Sequence, residues 1–185
     1  MKKALASAWL AAVAVNTAIK TPSLRAEAFQ FFSAREEEIE QHLSRESRRF
    51  LAGAATGHHH PFWDERSDDS EGETVDAEEI RGALDELRAC DSWRPRIGSA
   101  ITVQPRPCIR GREIVLEPHL VSSQHPAGIR YVRGIDMVAL VDLLPGVRQV
   151  PDLYDSYARR VGPTSLPDFL FAVATAVARG WLVSE

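Results

Sequence analysis

The hydrophobic pattern along the chain changes period twice. From Ala4 to Ala14 every residue but Ser7 is apolar and alanine, the best helix former, dominates, so a helix is expected there, ending where Thr21-Pro22-Ser23 stops one helix and starts the next. Beyond it, Phe32, Ile39, Leu43 and Phe50 recur at spacings of seven, four and seven, while Glu36, Glu37, Glu40, Arg45 and Arg48 fill the other faces. That spacing predicts an amphipathic helix, and the two together a helical hairpin over residues 1–57. An acidic connection follows at 58–74, and residues 75–109 read as one helix and an irregular passage. Val75 and Asp76 start that helix as staple and cap, Ile80, Leu84 and Leu87 form its stripe, and Pro95, Gly98, Pro105 and Pro107 break what comes next.

From Arg112 the texture becomes that of strands: Ile114 to Leu116, then Leu120-Val121, then Ile129 to Arg133 after the turn signal His125-Pro126-Ala127-Gly128. Helical spacing returns at Ile135 to Leu144 and is stopped by Pro145-Gly146. It restarts from Val150 to Gly162, and again from Ser165 to the stop at Arg179-Gly180. Trp181, Leu182 and Val183 suit an edge strand. The expectation is an α+β protein, an N-terminal helical region followed by a winged-helix domain of short strands and three helices over 110–185.

With 185 residues, 44% hydrophobic and 26% charged, the chain has an ordinary globular composition. Its net charge of -4 is unevenly spread: basic minus acidic counts are 8 and 6 over 1–57, 3 and 12 over 58–92, and 11 and 8 over 93–185. No part is basic enough to suggest a nucleic-acid face. Cys90 and Cys108 are too few for a disulfide framework, so a reduced, cytoplasmic protein is the default. Lys2 and Lys3 before the apolar run also fit a signal segment. Against it, alanine replaces leucine and Asn16 and Thr17 interrupt the run, which at about 15 residues is short of the roughly 20 that span a membrane.

Candidate chemistry is sparse. His58, His59 and His60 with Asp64 have zinc- or iron-binding side chains, but adjacent histidines point in different directions and a solvated linker is the simpler reading. His42, His119 and His125 stand alone. The sequence contains no serine-triad order, phosphate loop, zincin motif or Cys-x-x-Cys pair, and it suggests no catalytic centre of its own.

The segments IVLEPHL, IRYVRGIDMVALVDLLPGVRQVPDLYDSYARR and SLPDFLFAVATAVARGWLV carry a resemblance. Leu143-Leu144-Pro145-Gly146, Val150-x-x-Leu153 and Gly180-Trp181-Leu182-Val183 resemble features of the family typified by the small chaperone of the pyrroloquinoline quinone precursor peptide. These are recognition elements of ribosomally made, post-translationally modified peptides. The resemblance covers about residues 110–183 and implies that the leader of a precursor peptide adds as a strand beside Ile129, Tyr131 and Arg133, against Phe169, Val173 and Val177. Those three helical positions have the i, i+4, i+8 spacing of any core helix, so burial in the domain interior is the competing reading.

By the same analogy the chain resembles the non-catalytic partner subunit of a multinuclear non-haem iron oxidative enzyme, as in the 3-thiaglutamate pathway. The iron would belong to the partner, and this chain would have no cofactor of its own. Phe29, Phe31, Phe32 and Phe50 exceed what two helices can hide in each other and form the expected docking surface for that enzyme. The alternative on the same layout is a DNA-binding regulator. The last helix, with Arg179 as its one cation, argues against it. Neither nucleic acid nor membrane is an expected partner.

Overall fold

The computed structural model describes residues 2–55, 77–90 and 92–184. The acidic 58–74 segment, the His58, His59, His60 and Asp64 cluster, and the Val75-Asp76 helix start lie outside the described residues. The chain divides into two units, Met1–Glu73 with Pro107–Val115, and Thr74–Arg106 with Leu116–Glu185. Its class is α+β.

In the first unit, α1 (Lys2–Lys20) and α2 (Arg25–Ala55) are joined by a single 3-10 turn at Pro22–Leu24. Ala14 and Ala28 are buried where the helices meet; side chains this small let the backbones approach closely. Val13 and Ile114 complete that cluster, with Phe31, Phe32 and Ile109 packed half-buried around it. Buried Thr17 supplies the polar tie: its hydroxyl donates to the Val13 carbonyl at 2.9 Å and accepts the Ile114 N–H at 2.8 Å. Asn16 Nδ2 donates to the Arg112 carbonyl at 2.8 Å, and Lys20 Nζ pairs with Glu113 at 2.6 Å.

The hairpin β2 (Thr102–Arg110) and β3 (Glu113–Val121) turns through Gly111, which has φ +63°. Its turn end belongs to the first unit and its open end to the second. Sequence reasoning expected irregular chain through Pro105 and Pro107. The two-residue spacing instead puts both missing N–H groups on one edge, and a strand with a single neighbour has an edge that needs no donors.

The core of the second unit gathers α3 (Ala77–Ala89), α4 (Met137–Val141), α5 (Val150–Val161) and α6 (Leu166–Ala178) around Met137, Leu140, Leu153, Tyr157, Phe169 and Val173. Strands β1 (Pro95–Ile97) and β6 (Leu182–Ser184) pair antiparallel with Arg96 opposite Val183, which brings Trp93 and Trp181 into the same core. Gly98 donates to the Trp181 carbonyl at 2.9 Å, and a Cβ there would collide with the Gly180 carbonyl.

The expected third strand at 129–133 is much reduced. Ile129 makes one bridge to Leu120, and β4 (Tyr131–Val132) is two residues long, paired with β5 (Ile135–Asp136). Arg133 and Gly134 form the turn between them, with φ +47° and +81°, the pattern of a type I′ hairpin. The described strands form three separate two-stranded pairs, not a three-stranded wing. The following helix starts two residues later than its spacing suggests, because Asp136 caps it by accepting from the Val138 and Ala139 N–H groups. At its far end the chain turns through Pro145 and Gly146, the glycine at φ +88°.

Candidate functional site

The positions singled out for peptide binding separate into surface and interior. Phe169 and Val173 have no exposed surface and belong to the core, so a peptide laid on the protein cannot touch them. The i, i+4 spacing marks the face α6 buries. Ile129 and Val177 are half-buried against that core. Tyr131 is 58% exposed, and Arg133 stands in the turn.

Strand addition beside 129–133 meets a further obstacle, since the segment has chain on both sides. Ile129 exchanges both backbone hydrogen bonds with Leu120, at 2.8 and 2.9 Å, and the Arg130 carbonyl accepts from Met137 at 2.8 Å. Across a two-residue hairpin the pair next to the turn is hydrogen-bonded and the following pair is not, so Tyr131, opposite Asp136, points its N–H and C=O away from β5.

Arg130 holds this segment in place. Its guanidinium lies 2.9 Å from Asp136 and 3.4 Å from Glu117 and donates to the Pro118 carbonyl at 3.0 Å, all three side chains being mostly buried. Burial pulls its pKa down, but the hydrogen bond with Tyr131 and the Asp136 charge outweigh it and leave the group above its ordinary value. Beneath, the Tyr157 hydroxyl accepts the Asp136 N–H at 2.7 Å, and burial pushes the tyrosine pKa up.

On the outer side, the Arg133 guanidinium stacks 3.6 Å over the Phe171 ring and lies 3.7 Å from Asp168. Sequence reasoning missed Phe171, which sits two positions off the periodic stripe. Tyr131, Arg133, Asp168 and Phe171 thus form a mixed aromatic and charged surface on the second unit. A separate open concavity of about 460 Å³ lies at the Pro145-Gly146 corner, between Leu143 and Val147 on one side and Asp152, Asp155 and Arg159 on the other.

The proposed docking aromatics also separate. Phe31 and Phe32 are packed into the first unit's own core, which accounts for part of the aromatic excess; Phe29 is exposed and Phe50 is 78% exposed. The larger apolar surface of that unit lies on α1, where Leu5, Trp9, Val15 and Ile19 face outward, opposite the buried Leu10, Val13 and Ala14. Every residue from 41 to 50 on α2 is exposed as well.

Among the described residues, no three His, Cys, Asp or Glu side chains converge on a metal position, and no single helix is long and apolar enough to cross a membrane. The face of α6 that a DNA reader would insert into a groove is taken up by the core, and Arg179 is held against His125 Nε2 at 2.6 Å.

No protein-family model matches the chain, and neither does any curated protein. The fold is shared with a solved enzyme. That structure is the peptidyl tryptophan dihydroxylase QhpG, essential for tryptophylquinone cofactor biogenesis, and it superposes with a TM-score of 0.52 at 19% identity. The match covers 94% of this chain and 35% of QhpG, so the chain spans about a third of that enzyme's length. This corrects the expectation that the fold marks a non-catalytic accessory subunit, because in QhpG the same fold forms part of a catalytic enzyme.

Proposed function

We propose that this chain is the peptide-engaging part of an enzyme that modifies a side chain within a peptide, and that the peptide lies on the surface formed by Tyr131, Arg133 and Phe171. The observation that carries the reading is the fold shared over 94% of the chain with an enzyme acting on a peptidyl tryptophan. The exposed aromatic and charged surface beside the 129–134 segment supports its location, since aromatic anchors and arginine concentrate at recognition sites. The leader segment of a precursor peptide is the occupant we favour. It would run past Tyr131, whose backbone faces away from β5, instead of adding a full strand.

A second surface completes the proposal. The outward face of α1, with Leu5, Trp9, Val15 and Ile19, docks a further polypeptide of the same enzyme, because large apolar residues gathered on one exposed helix face mark an interaction surface. A selection of random twelve-residue peptides displayed against the whole chain tests the peptide reading. It should enrich related sequences whose binding Tyr131→Ala weakens by about ten-fold or more, that is about 1.4 kcal/mol. A selection that enriches nothing, or sequences indifferent to Tyr131→Ala, sinks it.

A further inference from the structure

Arg133 occupies a position that does not suit it. Among the described residues it is the one non-glycine with a positive φ, at +47°, in a turn whose first position favours Asn, Asp or Gly. Side chains kept at such positions against a conformational cost are concentrated where their placement serves a function.

The placement is specific. Phe171 covers one face of the guanidinium at 3.6 Å, which limits its freedom and leaves the N–H edges in the plane. Asp168 does not satisfy those edges: its nearest oxygen is 3.7 Å from Nη1, well beyond the roughly 2.7 to 2.9 Å of a charge-assisted bond, and both side chains are about half exposed. Asp168 also sits in the first turn of α6, where a carboxylate is favoured by the helix dipole whether or not an arginine is near.

We infer that Arg133, oriented by Phe171, is the point at which this chain recognises a carboxylate, and that the bound peptide places an Asp or Glu side chain there. The inference rests on the peptide reading above. An incoming carboxylate meets a fork already held flat and partly desolvated, which is the arrangement that favours paired N–H to oxygen bonds over a single long contact.

The test uses the whole chain and a fluorescein-labelled peptide enriched in the display selection, followed by fluorescence anisotropy. Enriched sequences should share one acidic position. Changing that residue to its amide should weaken binding by about ten-fold or more, in line with hydrogen bonds between charged groups. Arg133→Lys, which keeps the charge and loses the fork, should weaken binding similarly, and the two changes together should cost little more than either alone. Arg133→Asn suits the turn better than arginine and serves as the variant safe from folding failure; it should show the same coupling. Losses that simply add, or enriched peptides without a shared acidic position, overturn this inference and leave the peptide reading standing. A selection that enriches nothing overturns both.

Discussion

Thr17→Val is the sharpest perturbation of the first unit. It conserves shape but removes the hydroxyl that accepts the Ile114 N–H at 2.8 Å, at a position with almost no solvent access. The lost bond to the Val13 carbonyl matters little, because that carbonyl lies within α1. The Ile114 amide has no such reserve, and a buried donor left without an acceptor costs about 1 to 3 kcal/mol. The new methyl group offsets part of this, at about 0.8 kcal/mol for a buried carbon. The difference leaves a net loss of about 0.2 to 2 kcal/mol, and at its upper end exchange at Ile114 speeds up by roughly thirty-fold. Because the chain has two units, a global melting curve mixes their responses, and the informative assay is amide hydrogen exchange resolved at Ile114. Thr17→Ser, which keeps the hydroxyl, should retain protection there despite losing a methyl group. Unchanged exchange at Ile114 in Thr17→Val would refute the reasoning.

Gly98→Ala drives a Cβ into the Gly180 carbonyl and should loosen β1 from β6, costing about 2 kcal/mol or more by thermal unfolding, with a matching change in near-ultraviolet circular dichroism from Trp93 and Trp181. Tyr157→Phe leaves the Asp136 N–H unpaired and should cost about 1 to 2 kcal/mol in denaturant titration; a loss below a few tenths would show that the bond contributes nothing. The raised Tyr157 pKa has a definite sign in alkali. Its contribution is complete below the ordinary tyrosine value of about 10 and lost as pH rises from there through the folded value, so the stability gap between wild type and Tyr157→Phe should narrow only above about pH 10. Trp9→Ser with Ile19→Glu should leave the melting temperature nearly unchanged and abolish retention of any co-expressed enzyme polypeptide; retention by the double variant removes the α1 face from the proposal.

Much of the helical architecture was legible because helix ends are written locally. Ser165 accepts from the Asp168 N–H, and Gly146 and Gly180 take the positive φ that ends or turns a segment, so each boundary follows from a few neighbouring residues. The β2 strand was not legible, because whether Pro105 and Pro107 break a strand depends on which edge is paired, a property of the assembled sheet. The Arg133-Gly134 turn escaped notice for a related reason: arginine is an uncommon first residue in a type I′ turn. The site suffered most from periodicity. Spacing at i, i+4 and i+8 identified the face α6 buries, and so named Phe169 and Val173, whereas the half-buried Phe171, which carries the Arg133 contact, lies between them. On α1 the run of alanine and valine signalled a helix but not which side stays uncovered, since apolar residues occupy both.

Amide hydrogen exchange of the whole chain, with and without a saturating display-selected peptide, tests the central claim most directly. Slowed exchange should be confined to the Tyr131–Gly134 hairpin and the first two turns of α6, around Asp168 and Phe171, with Arg133→Asn requiring about ten-fold more peptide to reach the same protection. Protection that falls instead on α1, or on the Pro145-Gly146 concavity, with the hairpin unchanged, would contradict it.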